Sequence, residues 1–192
     1  MQKKISQLYY FIDKFNHLEL SRLDKNIIII YRNYKKNINI NTLISIKNYC
    51  KRNKIKFFLS NNFNLAIKYR LDGIYIPAFN KQINFIKNSL PINFEVIGSA
   101  HNNNEILIKQ KQGCNTIFLS PIFKVEKRKY YLDVVKFNLL TLNKKVKFIA
   151  LGGVSKNNIN KLNLLNNISG FAGISFFQKK TASHGGRLNN SI

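Results

Sequence analysis

The sequence predicts a single α/β domain built as a compact (β/α)8 TIM barrel, and three observations lead to that fold. Eight short apolar runs recur along the chain, with polar segments of helical spacing between them. The runs are apolar throughout and do not alternate, which is typical of strands in a parallel sheet covered by helices on both faces. Eight such strands favour a closed barrel, although 192 residues is near the lower limit for that fold. A doubly wound open sheet is the structural alternative.

The predicted strands are rich in β-branched and aromatic residues. They cover residues 8–13, 26–32, 54–60, 72–76, 94–100, 115–120, 147–153 and 169–175. Asp72 lies at the start of the fourth run, on the side of a barrel that serves stability, so we expect a structural role for its carboxylate.

The helices are predicted from amphipathic stripes between these runs. The stripes are Leu43–Ile46–Cys50, Phe63–Ala66–Ile67, Ile83–Ile86 and Ile159–Leu162–Leu165. Asn102 and Glu105 have the spacing of a capping box, and Ser155 is the predicted N-cap of a helix beginning at Lys156.

The C-terminal segment has little helical periodicity, and adjacent glycines at 185 and 186 would break a helix. We therefore assign residues 1–178 to the barrel and 179–192 to a polar tail whose sequence is compatible with disorder.

The chain is strongly basic, with a formal net charge of +24 from 32 Lys and Arg against 8 Asp and Glu. The lysines are scattered among many Asn and Ile residues, as expected from A/T-rich codons, so we interpret the charge chiefly as a solvated basic surface. Such a surface still steers anions into a cleft. Eight acidic residues offer few carboxylates, so the composition argues against catalysis that needs several of them in one cluster.

A membrane segment and a zinc site are not indicated by the sequence. No run of eighteen apolar residues occurs, and the N-terminus lacks the cleavage pattern of a signal peptide, so the prediction is a cytoplasmic protein. Cys50 and Cys114 are far apart and have no CxxC partner, which predicts reduced, structural thiols and no zinc site.

Two adjacent glycines, Gly152 and Gly153, end the seventh predicted strand. In a barrel the loops after strands seven and eight commonly hold phosphate groups, and glycines let main-chain N–H groups approach an oxyanion closely. Gly173, Ile174 and Ser175 could complete this cradle from the eighth strand. The alternative is that the glycines only make a tight turn.

Several segments, in this order and at these separations, resemble the thiamine-phosphate synthase and thiazole tautomerase (TenI-like) family of compact barrels. They are YYFID, the Arg32 of IIYRNY, LSNNFNLAIKYRLDGIYI, IGSAHNNNE, LSPIF, ALGGV and GFAGIS. The resemblance implies a transferase that joins hydroxymethyl-aminopyrimidine diphosphate to thiazole phosphate and releases pyrophosphate. Catalysis would then consist chiefly of positioning and of neutralising the leaving group.

The resemblance also implies site residues. Ser99 and His101 match a Ser-x-His at the end of strand five, where the tautomerases use the histidine for proton transfer. Lys127, in the basic run 124–129 after strand six, is the candidate catalytic lysine, and Arg32 is the candidate anion contact at the end of strand two.

Magnesium is the cofactor that the resemblance implies, but its two carboxylate positions fall at Asn61 and Asn80. An amide oxygen can ligate Mg²⁺ but brings no negative charge, so the affinity for the bare ion should fall. The resemblance therefore implies a magnesium site whose two carboxylates are both replaced by asparagine.

Three hypotheses follow for the function. The first is a divergent thiamine-phosphate synthase, using lysine and arginine where relatives use metal-bound carboxylates. The second is a thiazole tautomerase or salvage-type member without metal, in which His101 moves protons. The third is a non-catalytic barrel that binds a phosphorylated ligand or touches RNA, although the interleaved basic and aromatic motifs of single-strand binders are missing. The sequence narrowly favours the synthase, with phosphorylated small molecules as partners, and does not indicate the oligomeric state.

Overall fold

The computed structural model describes residues 6–24, 26–33, 38–86, 89–126 and 128–173. Eight parallel strands pair in sequence order, and the last pairs with the first, so the sheet is closed. This confirms the barrel over the open sheet. The strands are β1 (Gln7–Ile12), β2 (Ile27–Tyr31), β3 (Phe57–Ser60), β4 (Gly73–Ile76), β5 (Glu95–Ala100), β6 (Thr116–Leu119), β7 (Lys147–Leu151) and β8 (Gly170–Ala172).

Helices cover the outside of this barrel. They are α1 (His17–Ser21), α2 (Ile40–Arg52), α3 (Phe63–Lys68), α4 (Asn103–Lys111) and α5 (Asp133–Thr141), with 3₁₀ helices at Ile83–Phe85 and Ile159–Leu164. The first two predicted stripes are confirmed as α2 and α3, whose apolar residues face the sheet.

The other two stripes do not form α-helices. Ile83 is half exposed in a single 3₁₀ turn, because two apolar residues without a side-chain cap give that segment little to bury. Leu162 and Leu165 are buried as expected, but the segment is a 3₁₀ helix. Its many asparagines favour turns over the α-helix, since their side chains compete for backbone hydrogen bonds.

The barrel interior is a packed core. The side chains that fill it are Tyr9, Phe11, Ile30, Phe58, Tyr75, Ile97, Phe118, Ile149 and Ala172. Phe11, Tyr75 and Phe118 meet edge to face, with ring centroids 5.2 to 6.0 Å apart. A second, larger core lies between the sheet and the helices. The strands are thus buried on both faces, which explains their continuous apolar runs.

The amino-terminal side of the barrel has a structural role. The Asp72 carboxylate accepts the N–H of Phe57 at 2.8 Å, joining the starts of β3 and β4 as predicted. Both cysteines are free and buried, and burial raises the pKa of each thiol to about 12. They are therefore thiols at neutral pH, in line with the structural role predicted for them. Among the described residues no helix is both long and apolar enough to span a bilayer.

Candidate functional site

The carboxyl ends of all eight strands meet at one rim of the barrel, because every strand pair is parallel and the sheet closes. This rim gathers the candidate residues from sequence-distant segments. Arg32 follows β2, Asn61 follows β3, Asn80 lies in the loop after β4, Ser99 and His101 mark the end of β5, Gly152 and Gly153 follow β7, and Gly173 follows β8. Three further candidates, Lys127, Ile174 and Ser175, lie outside the described residues.

Two serines lie at the mouth end of the barrel interior. Ser60 and Ser99 each stand two residues after an interior side chain on the same strand, Phe58 and Ile97, so they face the same way. Both are buried, and among the described residues the hydroxyl of Ser60 is a buried side-chain oxygen without a hydrogen-bond partner. Such a group is costly unless water or a ligand satisfies it. The hydroxyl of Ser60 is not among the site residues predicted from the sequence, which gives no signal for it.

Arg32 is half-buried and stands above the aromatic floor of the mouth. Its N–H continues the sheet by donating to the carbonyl of Ile12 at 2.8 Å. Its guanidinium carbon lies 4.9 Å from the centroid of the Phe11 ring, within range of a cation–π contact. A cavity of about 190 Å³ adjoins it and is also lined by Asp13, Lys14 and Glu19. Arg32 thus places a permanent positive charge at the rim.

Asn61 and Asn80, the two positions implied for metal carboxylates, lie side by side. The Asn80 Nδ2 donates to the Asn61 Oδ1 at 2.7 Å, and the Asn80 Oδ1 accepts the N–H of Gln82 at 3.0 Å. Asn61 has a left-handed backbone, with φ of 57°, and its N–H donates to the carbonyl of Tyr75 at 2.9 Å. The two amides are therefore hydrogen-bonded to each other, and each side-chain oxygen already accepts a hydrogen bond from an N–H group.

A buried lysine lies behind this pair. The Lys109 ammonium donates to the main-chain carbonyl of Asn80 at 2.6 Å and to the Gln112 Oε1 at 2.8 Å. The Gln112 Nε2 donates to the carbonyls of Asn80 and Gln82, at 3.1 and 2.8 Å. Together the two side chains fasten the loop after β4 to α4.

Lys109 is fully buried, and burial lowers its pKa to about 8, against smaller opposing effects of Cys114 and Glu105. Gly98 makes room for it, because a Cβ there would lie 2.8 Å from the Lys109 Cδ. Sequence reasoning missed Lys109. The available signal was its position three residues after Ile106, on the same face of α4, but one lysine among 32 Lys and Arg does not stand out.

These residues do not fit a magnesium site. Within the described ranges there is no group of three or more His, Cys, Asp or Glu residues that could hold a metal ion. The two amides carry no charge, their oxygens accept hydrogen bonds, and an ammonium lies 2.6 Å from the Asn80 carbonyl. Mg²⁺ prefers carboxylate and water oxygens, so this edge offers it little.

His101 is held in one orientation at the end of β5. Its Nδ1 lies 2.5 Å from the carbonyl oxygen of Ser120 and 3.2 Å from the Ser120 Oγ. A carbonyl only accepts, so Nδ1 carries a proton and Nε2 is left as the basic nitrogen of the neutral ring. The Glu105 Oε2 accepts the N–H of His101 at 2.8 Å, and the Asn102 side chain caps α4 through the N–H of Glu105, as the capping pattern predicted.

The glycine turn after β7 has the left-handed backbone that glycine favours, with φ of 87° at Gly152 and 75° at Gly153. The loop after β6 packs against it: the N–H of Phe123 donates to the Gly152 carbonyl at 3.1 Å. A Cβ at Gly153 would lie 2.5 Å from the Phe123 carbonyl oxygen. The space freed by Gly153 is therefore occupied by protein. Within the described residues, no hydrogen bond is seen from the N–H groups of Gly152 and Gly153.

The predicted N-cap at Ser155 is wrong. The N–H of Ser155 donates to the Asn158 Oδ1, and the Asn158 Nδ2 donates to the Gly153 carbonyl, both at 2.8 Å. Asn158 thus closes a turn of its own, and the helix that follows is 3₁₀ and begins at Ile159. No helix opens at Lys156, so an anion at this rim would depend on the turn itself.

Comparison with known proteins places this geometry in a family context. The sequence model of the family described as thiamine monophosphate synthase (TMP-TENI) matches residues 22–177. A thiamine-phosphate synthase of Prochlorococcus marinus strain AS9601 is 29% identical over 168 residues, which cover 83% of this chain and 48% of that protein. The corresponding protein of Prochlorococcus marinus subsp. pastoris is 30% identical over 122 residues, covering 62% of this chain and 34% of that protein. The chain thus spans from about a third to a half of the length of these curated relatives.

Among solved structures, a thiamine phosphate pyrophosphorylase from Pyrococcus furiosus superposes with a TM-score of 0.69 at 19% identity. The match covers 91% of this chain and 87% of that one. At this identity the likeness concerns the fold.

Proposed function

The chain belongs to the thiamine monophosphate synthase family, and from that membership we propose that it is a divergent transferase of the thiamine-phosphate synthase type. The observation that carries the proposal is the extent of the family match. Residues 22–177 include β2 to β8 and every candidate site residue from Arg32 to Ser175.

The proposed reaction joins hydroxymethyl-aminopyrimidine diphosphate to thiazole phosphate. The bond between the pyrimidine methylene carbon and the diphosphate oxygen breaks, and pyrophosphate leaves with the bonding electrons. The lone pair of the thiazole nitrogen then forms the new carbon–nitrogen bond, giving thiamine phosphate. Negative charge accumulates on the departing diphosphate. Hydrogen-bond donors fixed around it would therefore lower the activation barrier of the reaction.

Three features of the rim support this role. Arg32 supplies a permanent cation over the aromatic floor. The turn at Gly152 and Gly153 offers main-chain donors, and we assign it the phosphate, together with Gly173, Ile174 and Ser175. Lys124 is an exposed lysine at the start of the strand-six loop, next to the main chain that packs on Gly153, and Lys127 of the same loop is the candidate for contact with the leaving group.

A second candidate is the thiazole tautomerase or salvage-type reaction, and one observation favours it. The Ser120 carbonyl fixes the tautomer of His101, so that Nε2 is a basic nitrogen at the catalytic end of β5. A neutral imidazole in this state can accept a proton from a bound thiazole and return it elsewhere. No metal is required for that reaction.

The test uses the purified chain with both substrates, in millimolar Mg²⁺ and separately in EDTA, and follows formation of thiamine phosphate. Product under either condition supports the synthase. No product in both, with thiazole phosphate still bound in calorimetry, would overturn the synthase proposal in favour of the tautomerase or of a non-catalytic phosphate binder.

His101→Gln separates these last two. If the chain is a tautomerase, this variant should lose about 10²- to 10⁴-fold in thiazole isomerisation while retaining thiazole phosphate binding. If the unmodified protein does not isomerise the thiazole, the result supports the non-catalytic phosphate binder.

A further inference from the structure

We propose that the edge of the mouth formed by Asn61, Asn80 and Lys109 binds a diphosphate group directly, without a divalent metal. Lys109 would act as a positioning residue for that edge. The inference rests on the proposed function for the identity of the anion, and it concerns how the anion is held.

The first step is the donor chemistry of the amide pair. Each Oδ1 is an acceptor already in use, but in the described residues no hydrogen bond is seen from the Asn61 Nδ2, which carries two donor hydrogens. Asn61 is only partly buried, at the rim, so these hydrogens are within reach of a ligand. Carboxylates at these places would repel a phosphate and would need a bridging cation. Amides can donate to the phosphate themselves.

The second step is the positive charge behind the pair. In its hydrogen bonds the Lys109 ammonium has two neutral acceptors, the Asn80 carbonyl and the Gln112 Oε1. The titratable groups that act on it are Cys114, beyond the end of α4, and Glu105, whose carboxylate is engaged by the N–H of His101. The charge of Lys109 is therefore not cancelled by an ion pair, and it favours an anion at this edge over a second cation.

The third step is the rigidity of the loop. Lys109 and Gln112 hold the carbonyls of Asn80 and Gln82 from below through three hydrogen bonds, and a fourth joins the Lys109 ammonium to the Gln112 Oε1. An ammonium on the Asn80 carbonyl also polarises the peptide whose N–H belongs to Lys81, which strengthens that N–H as a donor. Loss of Lys109 would leave this loop held by the Gln112 side chain alone.

Calorimetric titration with inorganic pyrophosphate tests the proposal. The unmodified chain should bind pyrophosphate in EDTA at least as tightly as in millimolar MgCl₂. Lys109→Met should weaken binding in EDTA by about tenfold or more. The matched control is Lys111→Met, which removes an exposed lysine from the same helix and should change the affinity by about twofold or less.

A second variant probes the amides. Asn61→Asp combined with Asn80→Asp should lose pyrophosphate binding in EDTA, because carboxylates replace donors. A requirement of the unmodified chain for Mg²⁺, or equal affinities in the Lys109→Met and Lys111→Met proteins, would overturn the inference. The Mg²⁺ comparison uses the unmodified chain, so it decides the question even where Lys109→Met fails to fold.

The inference and the proposed function fail separately. If the chain binds pyrophosphate without metal but forms no thiamine phosphate, the synthase proposal is overturned and the metal-free anion site is supported. If thiamine phosphate forms only with Mg²⁺ and pyrophosphate binding also requires Mg²⁺, the synthase proposal is supported and the metal-free anion site is overturned.

Discussion

The two sides of the mouth differ in how their polar groups are used. On the side of β5 to β7, a few contacts hold His101 and the glycine turn, and within the described ranges no hydrogen bond is seen from the Nε2 of His101 or from the N–H groups of Gly152 and Gly153. On the side of β3 and β4, the amide oxygens are engaged and a buried ammonium lies beneath them. One side thus presents a basic nitrogen and a glycine turn, while on the other the side-chain amides are already hydrogen-bonded to each other and to the main chain.

The largest expected effect is at Gly153. Gly153→Ala meets both a left-handed backbone, φ of 75°, and the Phe123 carbonyl oxygen 2.5 Å from the new Cβ. We expect a loss of about 3 kcal/mol in the free energy of unfolding, measured by urea denaturation.

Gly113→Ala is the matched control for this substitution. Gly113 has a similar φ of 82° but open space around its Cβ position. It should therefore lose only about 1 kcal/mol, the cost of the backbone conformation alone. Equal losses in the two variants would show that the strand-six loop does not press on the glycine turn.

Arg32→Glu is expected to have the next largest effect, on anion binding. It reverses a charge that lies 4.9 Å from the Phe11 ring at the mouth, so pyrophosphate affinity should fall by about thirtyfold. Arg22→Glu, an exposed arginine at the end of α1, is the control for net charge. Unaltered affinity of the Arg32 variant in calorimetry would remove Arg32 from the site.

Lys109→Met should change the pH dependence of stability. The folded-state pKa is lowered from 10.5 to about 8, so between these values the unfolded chain binds more protons, and this residue makes stability rise with pH. Well below pH 8 the full free-energy cost of burying the charged Lys109 ammonium is present. The stability of the unmodified chain relative to Lys109→Met should therefore improve by about 1–2 kcal/mol from neutral pH to about pH 9.5.

Thermal or urea unfolding of both proteins at several pH values measures this difference. Lys111→Met again serves as the control, because it removes an exposed lysine from the same helix. A pH-independent gap between Lys109→Met and the unmodified chain would contradict a buried ammonium.

The smallest effect is expected at Ser60, the last residue of β3. Ser60→Ala removes a buried hydroxyl that has no hydrogen-bond partner among the described residues, so the variant should be as stable or more stable by about 0.5 kcal/mol. If that hydroxyl serves a ligand, pyrophosphate or thiazole phosphate affinity should fall in the same variant. Destabilisation with unchanged affinity would show that the hydroxyl has a structural partner.

The barrel could be predicted from the sequence because continuous apolar runs such as IIIIY and the stripe Leu43–Ile46–Cys50 report burial directly. Asn61 and Asn80 were placed by resemblance alone, and the pairing of β3 with β4 brings the Asn80 Nδ2 within 2.7 Å of the Asn61 Oδ1. Lys109 could not be predicted, since its burial depends on Gly98 of a neighbouring strand. Asn158 and Ser155 have similar capping propensities, and the path of the turn, which is a tertiary property, decides between them.

The loop after β6 is held at both ends by main-chain hydrogen bonds. The N–H groups of Ile122 and Phe123 donate to the carbonyls of Leu151 and Gly152, and those of Leu132 and Asp133 donate to the carbonyls of Pro121 and Ile122. Both ends of the stretch 124–131 are therefore tied to the barrel by main-chain bonds that do not depend on its side chains. Replacing the side chains of this stretch should leave its connection to the barrel intact.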